Sequence, residues 1–520
     1  MNVSEFLGIS AAIVPDRTAL VFEGKRTSFE ELQSRVTRLA SALQSLGVGE
    51  GDRIGIVQVN TDAVVETCFA AARTDGVFVP LNFRARGDEV SFMIRDSGPK
   101  VLLVGSRYLD LVDSIADELD SVEHYISLDE PRDGWLSYED LLANAVEEEL
   151  WPTTAEDDLA VLLFTSGTTS YPKGVMLTHN SFASYILSHV TPADPEVDER
   201  NILTVPLYHI AGMQAMISAV YGGRTLIIQR QFEASQWMDL VQTERVDRAM
   251  MVPTMLKMLI DHEEFEQRDL SSLSVITYGA APMPVEVIKQ AISVLPGVQF
   301  INAFGQTETA ATITMLPPDD HVLDGSEEEV ERKLRRLSSI GKPLEDVEVR
   351  IVNEHADDVA IGETGEIVAR GQRLMKGYWH QDSSTEETIR DGWLYTGDLG
   401  YWDEDGYIFL AGRARDFIKR GGEMISPEEV EQVLHSHPDI EEAAIIGVED
   451  ISWGERVRAV VVAKGGRDVD EHEVIEYCRE RLASYKRPES VVVVGELPRN
   501  PMGKVLKRIL REEHNAPIEA

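Results

Sequence analysis

In TSFEELQSRVTRLASALQSLGV, residues 27–48, the apolar side chains Phe29, Leu32, Val36, Leu39, Leu43 and Leu46 recur every three or four positions. That spacing stacks them on one face of a helix. Ser28 followed three residues later by Glu31 forms a capping box, and Gly47 stands where a C-terminal cap belongs. RIGIVQVN (53–60) then reads as a strand, and DAVVETCFAAARTDGVFVPL (62–81) as a helix followed by a strand. The same alternation returns in residues 224–262 and 274–305. Repeated strand–helix units of this kind build parallel sheets covered by helices.

After about residue 365 the pattern changes to short strands and turns, as in GETGEIVARGQRLMKGYW and GYWDEDGYIFLAGRARD. From SPEEVEQVLHSHPDIEEAAIIGV onward a compact α+β pattern runs to the end of the chain. The expected fold is therefore α/β: a large N-terminal region of doubly wound sheets with a turn-rich β layer, spanning 1–415, and a small α+β C-terminal domain over 416–520. Two charged stretches carry no chemistry. DGSEEEVERKLRRL (324–337) reads as a solvated helix and PADPEVDER (192–200) as a surface loop.

Length and composition narrow the function. A chain of 520 residues exceeds what one hydrophobic core organises, and 43% hydrophobic with 27% charged residues is ordinary for a globular protein. The net charge of -41, from 49 basic and 90 acidic side chains, opposes binding to nucleic acid. Any anionic substrate must meet positive charge that is local. Two cysteines, Cys68 and Cys478, cannot build a disulfide framework. The N-terminal segment lacks the basic start of a signal peptide, and no uncharged apolar run reaches the roughly 20 residues that span a bilayer. A cytoplasmic protein without stable membrane insertion is expected.

Chemistry enters at LLFTSGTTSYPKGVMLTH (162–179), where an apolar strand breaks into a loop of Ser, Thr and Gly with one lysine, Lys173. Such a loop, read as joining a strand to a helix, offers backbone N–H groups, hydroxyls and a cation to a polyphosphate. A Walker loop is excluded, since Lys173 precedes Gly174 and no Ser or Thr follows it.

The loop resembles the phosphate-binding signature of the adenylate-forming superfamily, which includes acyl-CoA synthetases, peptide-synthetase adenylation domains and luciferases. Further matches follow in that family's order: VPLYHIAGM, YGAAPMP, INAFGQTET, GWLYTGDLG, GRARDFIKRGGEMISPEEVE and LPRNPMGKVLKRIL. One such motif is weak, whereas this ordered set is specific. Ser170 departs from the pattern, standing where the family usually has glycine.

The resemblance implies an AMP-forming ligase using ATP, Mg²⁺ and CoA. It implies ATP phosphate contacts at Thr165, Ser166, Gly167, Thr168, Thr169 and Lys173, and a metal carboxylate at Glu308. Gly279, Ala280 and Ala281 would form the adenine shelf with Phe304 as a stacking face, and Asn302, Ala303, Gly305 and Thr307 belong to the same nucleotide site. Asp398 and Arg413 would hold the ribose. Lys504 would be the catalytic lysine, acting with Glu308, Thr165 and Lys173. Gly421 and Gly422 would line the CoA arm's tunnel, and Asp416 would be the hinge of a mobile C-terminal domain.

By the same resemblance the acid lies among His209, Met213, Gly279, Ala281 and Gly305. These are small or apolar apart from His209, and no charged group is present to recognise an amino acid or malonate. A medium- or long-chain fatty acid is the preferred expectation. An aryl acid of the coumarate type, and an acyl-adenylating enzyme with a non-CoA acceptor, remain open. So does a nucleotide-binding protein that has lost catalysis, although Lys504, Glu308 and Asp398 together oppose it. The partners expected are a carboxylic acid and CoA, with homodimerisation left open.

Overall fold

The computed structural model describes residues 1–516, apart from 86, 166–171, 414–415, 421–422, 451–452 and 501–502. The first amphipathic segment is the helix Phe29–Ser45, and its capping box is complete. Glu31 N donates to Ser28 Oγ at 3.1 Å, and Ser28 N donates to Glu31 Oε2 at 2.8 Å. Phe29, Leu32, Val36, Leu39 and Leu43 are fully buried, whereas Leu46 becomes the half-buried cap residue, with Gly47 at φ 82° beyond it.

Among the described residues the strands form four sheets. In the eight-stranded sheet Arg53–Val57, Val77–Pro80, Val101–Val104, His124–Ser127 and Leu159–Thr165 run parallel. Lys173–Thr178 and then Gly377–Tyr378 close one edge antiparallel. A nine-stranded sheet has Val275–Gly279 and Gln299–Gln306 near one side, paired parallel, with Ala311–Leu316 antiparallel beyond them. The turn-rich segment makes a third, antiparallel sheet from Glu348–Val352, Gly365–Arg370, Ile389–Arg390, Trp393–Trp402 and Ile408–Arg413.

The segment after Asp416 has its own core. Ile418, Ile425, Val430, Leu434, Ile445, Val457, Ala459 and Val461 pack together between Pro427–His435, Glu471–Arg479 and a sheet led by Ile440–Asp450 and Gly454–Ala463. Where this part meets the rest, Lys257 on the helix Pro253–Ile260 pairs with Glu441 at 2.9 Å. Gly503 lies so close to Thr254 that a Cβ there would come within 2.5 Å of its hydroxyl. The charged helix Glu327–Arg336 buries no side chain, as its pattern predicts.

One local expectation fails. The Ser/Thr/Gly loop joins two antiparallel strands, with Thr165 opposite Lys173, and the helix His179–His189 begins only after the second of them. Val175 and Leu177 alternate with Met176 in KGVMLT, the period of a strand with one face buried.

Candidate functional site

A cleft of about 2800 Å³ opens where the first three sheets face the C-terminal part. It is lined by Thr165, Lys173, Glu308, Asp398, Arg413 and Lys504, and by Gly279, Ala280, Ala281, Asn302, Ala303, Phe304, Gly305 and Thr307. His209 and Asp416 line it too. Residues spread over some 340 positions of sequence thus converge on one space. Ser166, Gly167, Thr168, Thr169, Ser170, Gly421 and Gly422 lie outside the described residues.

At one end the edge strand Gly377–Tyr378 brings Tyr378 between two expected site residues. Its hydroxyl donates to Glu308 Oε1 at 3.0 Å. Lys173 Nζ lies 4.8 Å from the centre of its ring and donates to Ser384 Oγ at 3.1 Å. Burial, and then the neighbouring Glu308 carboxylate, push the Tyr378 phenol upward, so it stays protonated as a donor. The backbone beside Glu308 is strained: Ala310 and Ala311 have φ of 48° and 83°. Thr309 braces that turn, accepting from Gln306 N at 2.8 Å and donating to Ala311 O at 2.7 Å.

In the middle of the cleft, Gly279 and Ala303 are paired on adjacent parallel strands. A Cβ at Gly279 would sit 2.2 Å from Ala303 O, and one at Gly305 would meet Ala311 O even more closely, so both glycines are required by backbone approach. Asn302 Nδ2 donates to Ser339 O at 3.1 Å, which ties this strand to the following segment. Asp398 and Arg413 face one another on neighbouring strands, with Arg413 Nε 2.5 Å from Asp398 Oδ1. Gln306 Nε2 donates to the other carboxylate oxygen at 2.5 Å. Asp398 is therefore held on both oxygens, by one residue expected from sequence and one that was not.

His209 caps the helix Ile210–Tyr221, its Nδ1 accepting from Ala211 N at 3.3 Å. Burial pushes the imidazole down to about 4, which leaves it neutral. Met213 corrects the expected pocket. It is wholly buried in the core beneath the helix and is absent from the cleft lining, where Ala211, Gln214, Ala215 and Ser218 stand instead. Those residues share the face of the helix opposite to Met213, Met216 and Ile217.

Lys504 precedes the helix Lys507–Glu513 rather than lying in it. Its N–H donates to Asn500 Oδ1 and its carbonyl accepts from Asn500 N, both at 2.8 Å, a turn that sets the residue on the cleft wall. Asp416 Oδ1 accepts from both terminal nitrogens of Arg511 at 3.1 Å, which ties the expected hinge to that last helix.

The donor set fits a magnesium nucleotide. Lys173, Lys504 and Arg413 gather positive charge in a strongly acidic chain. Glu308 offers a hard carboxylate oxygen beyond the one bonded to Tyr378. Among the described residues no group of three or more His, Cys, Asp or Glu assembles a protein-only cation site. One carboxylate near a lysine, rather than a cluster of them, suits Mg²⁺ held mainly by phosphate and water.

Comparison with known proteins identifies the family. Residues 9–379 match the AMP-binding enzyme family and residues 429–504 its C-terminal domain. An indoleacetate–CoA ligase of Aromatoleum aromaticum is 34% identical, over 98% of each chain. The long-chain-fatty-acid–CoA ligase FadD13 of Mycobacterium tuberculosis is 33% identical, over 99% of each. The crystal structure of ATP-bound MatB from Rhodopseudomonas palustris superimposes with a TM-score of 0.87 at 30% identity, over 99% of each chain. No helix among the described residues is long and apolar enough to cross a membrane. The chain belongs to the AMP-binding enzyme family: it is an adenylate-forming acyl- or aryl-CoA ligase that works with ATP, Mg²⁺ and CoA.

Proposed function

We propose that the protein activates an aryl carboxylic acid in this cleft and passes it to CoA. In the first step a carboxylate oxygen bonds to the α-phosphorus of ATP and pyrophosphate leaves. In the second the CoA sulfur bonds to the acyl carbon, AMP leaves, and the thiol proton goes to solvent. The observation that carries this reading is the convergence on one cleft of Lys504, from the C-terminal part, with Lys173, Glu308 and Asp398.

Lys173 and Lys504 bring positive charge to two anions that otherwise repel, the carboxylate and the triphosphate. Bound Mg²⁺ supplies further neutralisation of the phosphates. Glu308 is its proposed protein ligand, steadied by Tyr378. Asp398, held by Arg413 and Gln306, is proposed to accept from ribose hydroxyls, and Gly279, Ala280 and Ala281 are proposed to flank the base. The proposed boundary between the two domains is Asp416, with 1–415 and 416–520 on either side. Gly421 and Gly422 are proposed to border the CoA arm.

We read the acid as aryl, where the sequence alone favours a fatty tail. Gln214, Ser218 and Asn201 line the cleft with His209, so its lining carries polar side chains among apolar ones such as Ala211, Ala215 and Met250. An aryl acid with a polar edge suits it better.

Glu308→Gln tests the core of this reading. It keeps the shape and removes the charge, and exchange of labelled pyrophosphate into ATP should drop at least about a hundredfold. A variant that exchanges at the wild-type rate in Mg²⁺ removes Glu308 from the metal site.

A further inference from the structure

On one face of the nine-stranded sheet every second residue lines the cleft, and these residues make a lane away from the proposed nucleotide site. Gly279, Thr277 and Val275 follow one another along their strand, with Ile301 beside them on one neighbour and Met250 and Arg248 on the other, the strand Arg248–Met251. Arg248 pairs with Val275, four residues before Gly279, so it stands about 13 Å along the strands from that glycine. Arg224 lies at the same end of the lane, just before the strand Thr225–Ile228, two strands further across.

These two arginines share one carboxylate. Glu199 takes only Nε of Arg224, at 2.5 Å, and only Nη1 of Arg248, at 2.9 Å. Both terminal nitrogens of Arg224, with Nε and Nη2 of Arg248, make no hydrogen bond among the described residues, and none of the four is sealed from solvent. The two side chains keep 17% and 27% of their exposure. Asp247, the next carboxylate, is not among the residues lining the cleft, and its Oδ2 accepts from Arg200 N at 2.8 Å. Burial and then the charge of Arg248 push the Arg224 guanidinium below its ordinary value, although Glu199 and Asp247 oppose that shift. Half-buried guanidinium groups with open N–H donors are a ready site for a further anion, and their planar forks match a carboxylate.

We propose that Arg224 and Arg248 are specificity-determining residues that bind a second carboxylate, carried by the acid at the end remote from the one that is activated. The inference rests on the proposed activation of an acid in this cleft and gives the aryl acid of that reading a second anionic group. Short diacids such as malonate cannot span a lane of about 13 Å. Hydrogen bonds of a charged pair discriminate against a neutral analogue by about tenfold to a hundredfold.

The test compares para-carboxycinnamate, its neutral para-methyl ester, cinnamate, sebacate and decanoate as substrates, following both pyrophosphate release and CoA-thioester formation. The wild type should show kcat/KM for the aryl diacid at least about tenfold above both the ester and cinnamate. Arg248→Met leaves Arg224 alone with Glu199 and should bring that ratio toward one. Glu199→Gln releases both arginines from their shared carboxylate and should raise the ratio several-fold, which arginines that merely pack would not produce. A wild-type ratio near one, or a ratio that survives in Arg248→Met, overturns the proposal. Should Arg248→Met fold poorly, the wild-type ratios and Glu199→Gln still decide it. Cinnamate and the ester turned over as well as the diacid leave the aryl reading standing and remove the arginines. Sebacate preferred over decanoate, with the aryl acids inert, upholds the arginines and overturns the aryl reading. Turnover of decanoate alone overturns both.

Discussion

Tyr378 joins the lysine of the loop to the carboxylate of the proposed metal site, since its ring lies beneath Lys173 Nζ and its hydroxyl holds Glu308 Oε1. Tyr378→Phe separates these two duties, because phenylalanine keeps the ring under the ammonium and loses only the hydrogen bond. Partners that orient a metal ligand are worth roughly tenfold to a hundredfold in metal affinity or activity. The Mg²⁺ concentration giving half-maximal pyrophosphate exchange should therefore rise about tenfold in Tyr378→Phe, and calorimetric binding of ATP should become more dependent on added Mg²⁺. An unchanged Mg²⁺ requirement would assign the hydroxyl a packing role only. Motifs made Glu308, Lys173, Asp398 and Lys504 legible as residues of one cleft, because each stands in a short stretch of distinctive composition. Tyr378 and Gln306 were not legible, because each acts through a contact between segments far apart in the chain, 70 residues in the pair Tyr378–Glu308 and 92 in Gln306–Asp398.

An element is legible in the sequence where its period is clean and less so where a short strand carries only three alternating positions. The capped helix Phe29–Ser45 follows directly from its spacing, whereas Lys173–Thr178 is a strand that pairs back on Leu159–Thr165 where the motif suggests a loop leading into a helix. Met213 was placed in the pocket through its motif, although the helical period puts it on the core side of Ile210–Tyr221. The strand Val275–Gly279, which carries the proposed base shelf, is anchored from behind by His321. Tyr278 OH donates to its Nε2 at 2.8 Å, and its Nδ1 donates to Pro317 O at 2.9 Å, so the neutral ring is used on both sides. Burial lowers His321 to about 4, below the ordinary value of 6.5. With the folded value depressed, the stabilisation is complete above pH 6.5 and is lost as pH falls toward 4, a loss of order 3 kcal/mol. His321→Asn should lower the unfolding temperature at neutral pH and make its fall between pH 6.5 and 5 shallower than in the wild type. Parallel curves for the two proteins would show that His321 does not stay neutral on folding.

At the scale of the molecule, composition and alternating pattern foretold the large α/β region and the smaller α+β one, but nothing local in sequence states how the two meet. That meeting is what puts Lys504 on the cleft wall, and it is held partly by Lys257 and Glu441, whose side chains keep 35% and 31% of their exposure. A pair so open to water contributes at most about 1 kcal/mol, so Glu441→Gln should slow adenylation no more than about fivefold. Lys504 differs in kind. A lysine clamped between carboxylate and phosphate serves the adenylation step, yet it occupies space through which the CoA thiol must approach in the second. On the proposed two-step reading the C-terminal part must therefore turn between steps, about a hinge placed at Asp416. Lys504→Ala should reduce acyl-adenylate synthesis by about a hundredfold or more, while thioester formation from supplied acyl-adenylate and CoA stays near the wild-type rate. Glu441→Gln should show the same direction in miniature, with the first step slowed and the second equal or faster, because weakening the contact that favours this arrangement releases the other. Measuring both half-reactions separately in each variant decides the matter. If Lys504→Ala damages both steps equally, one fixed arrangement serves the whole reaction and the hinge at Asp416 has no catalytic part.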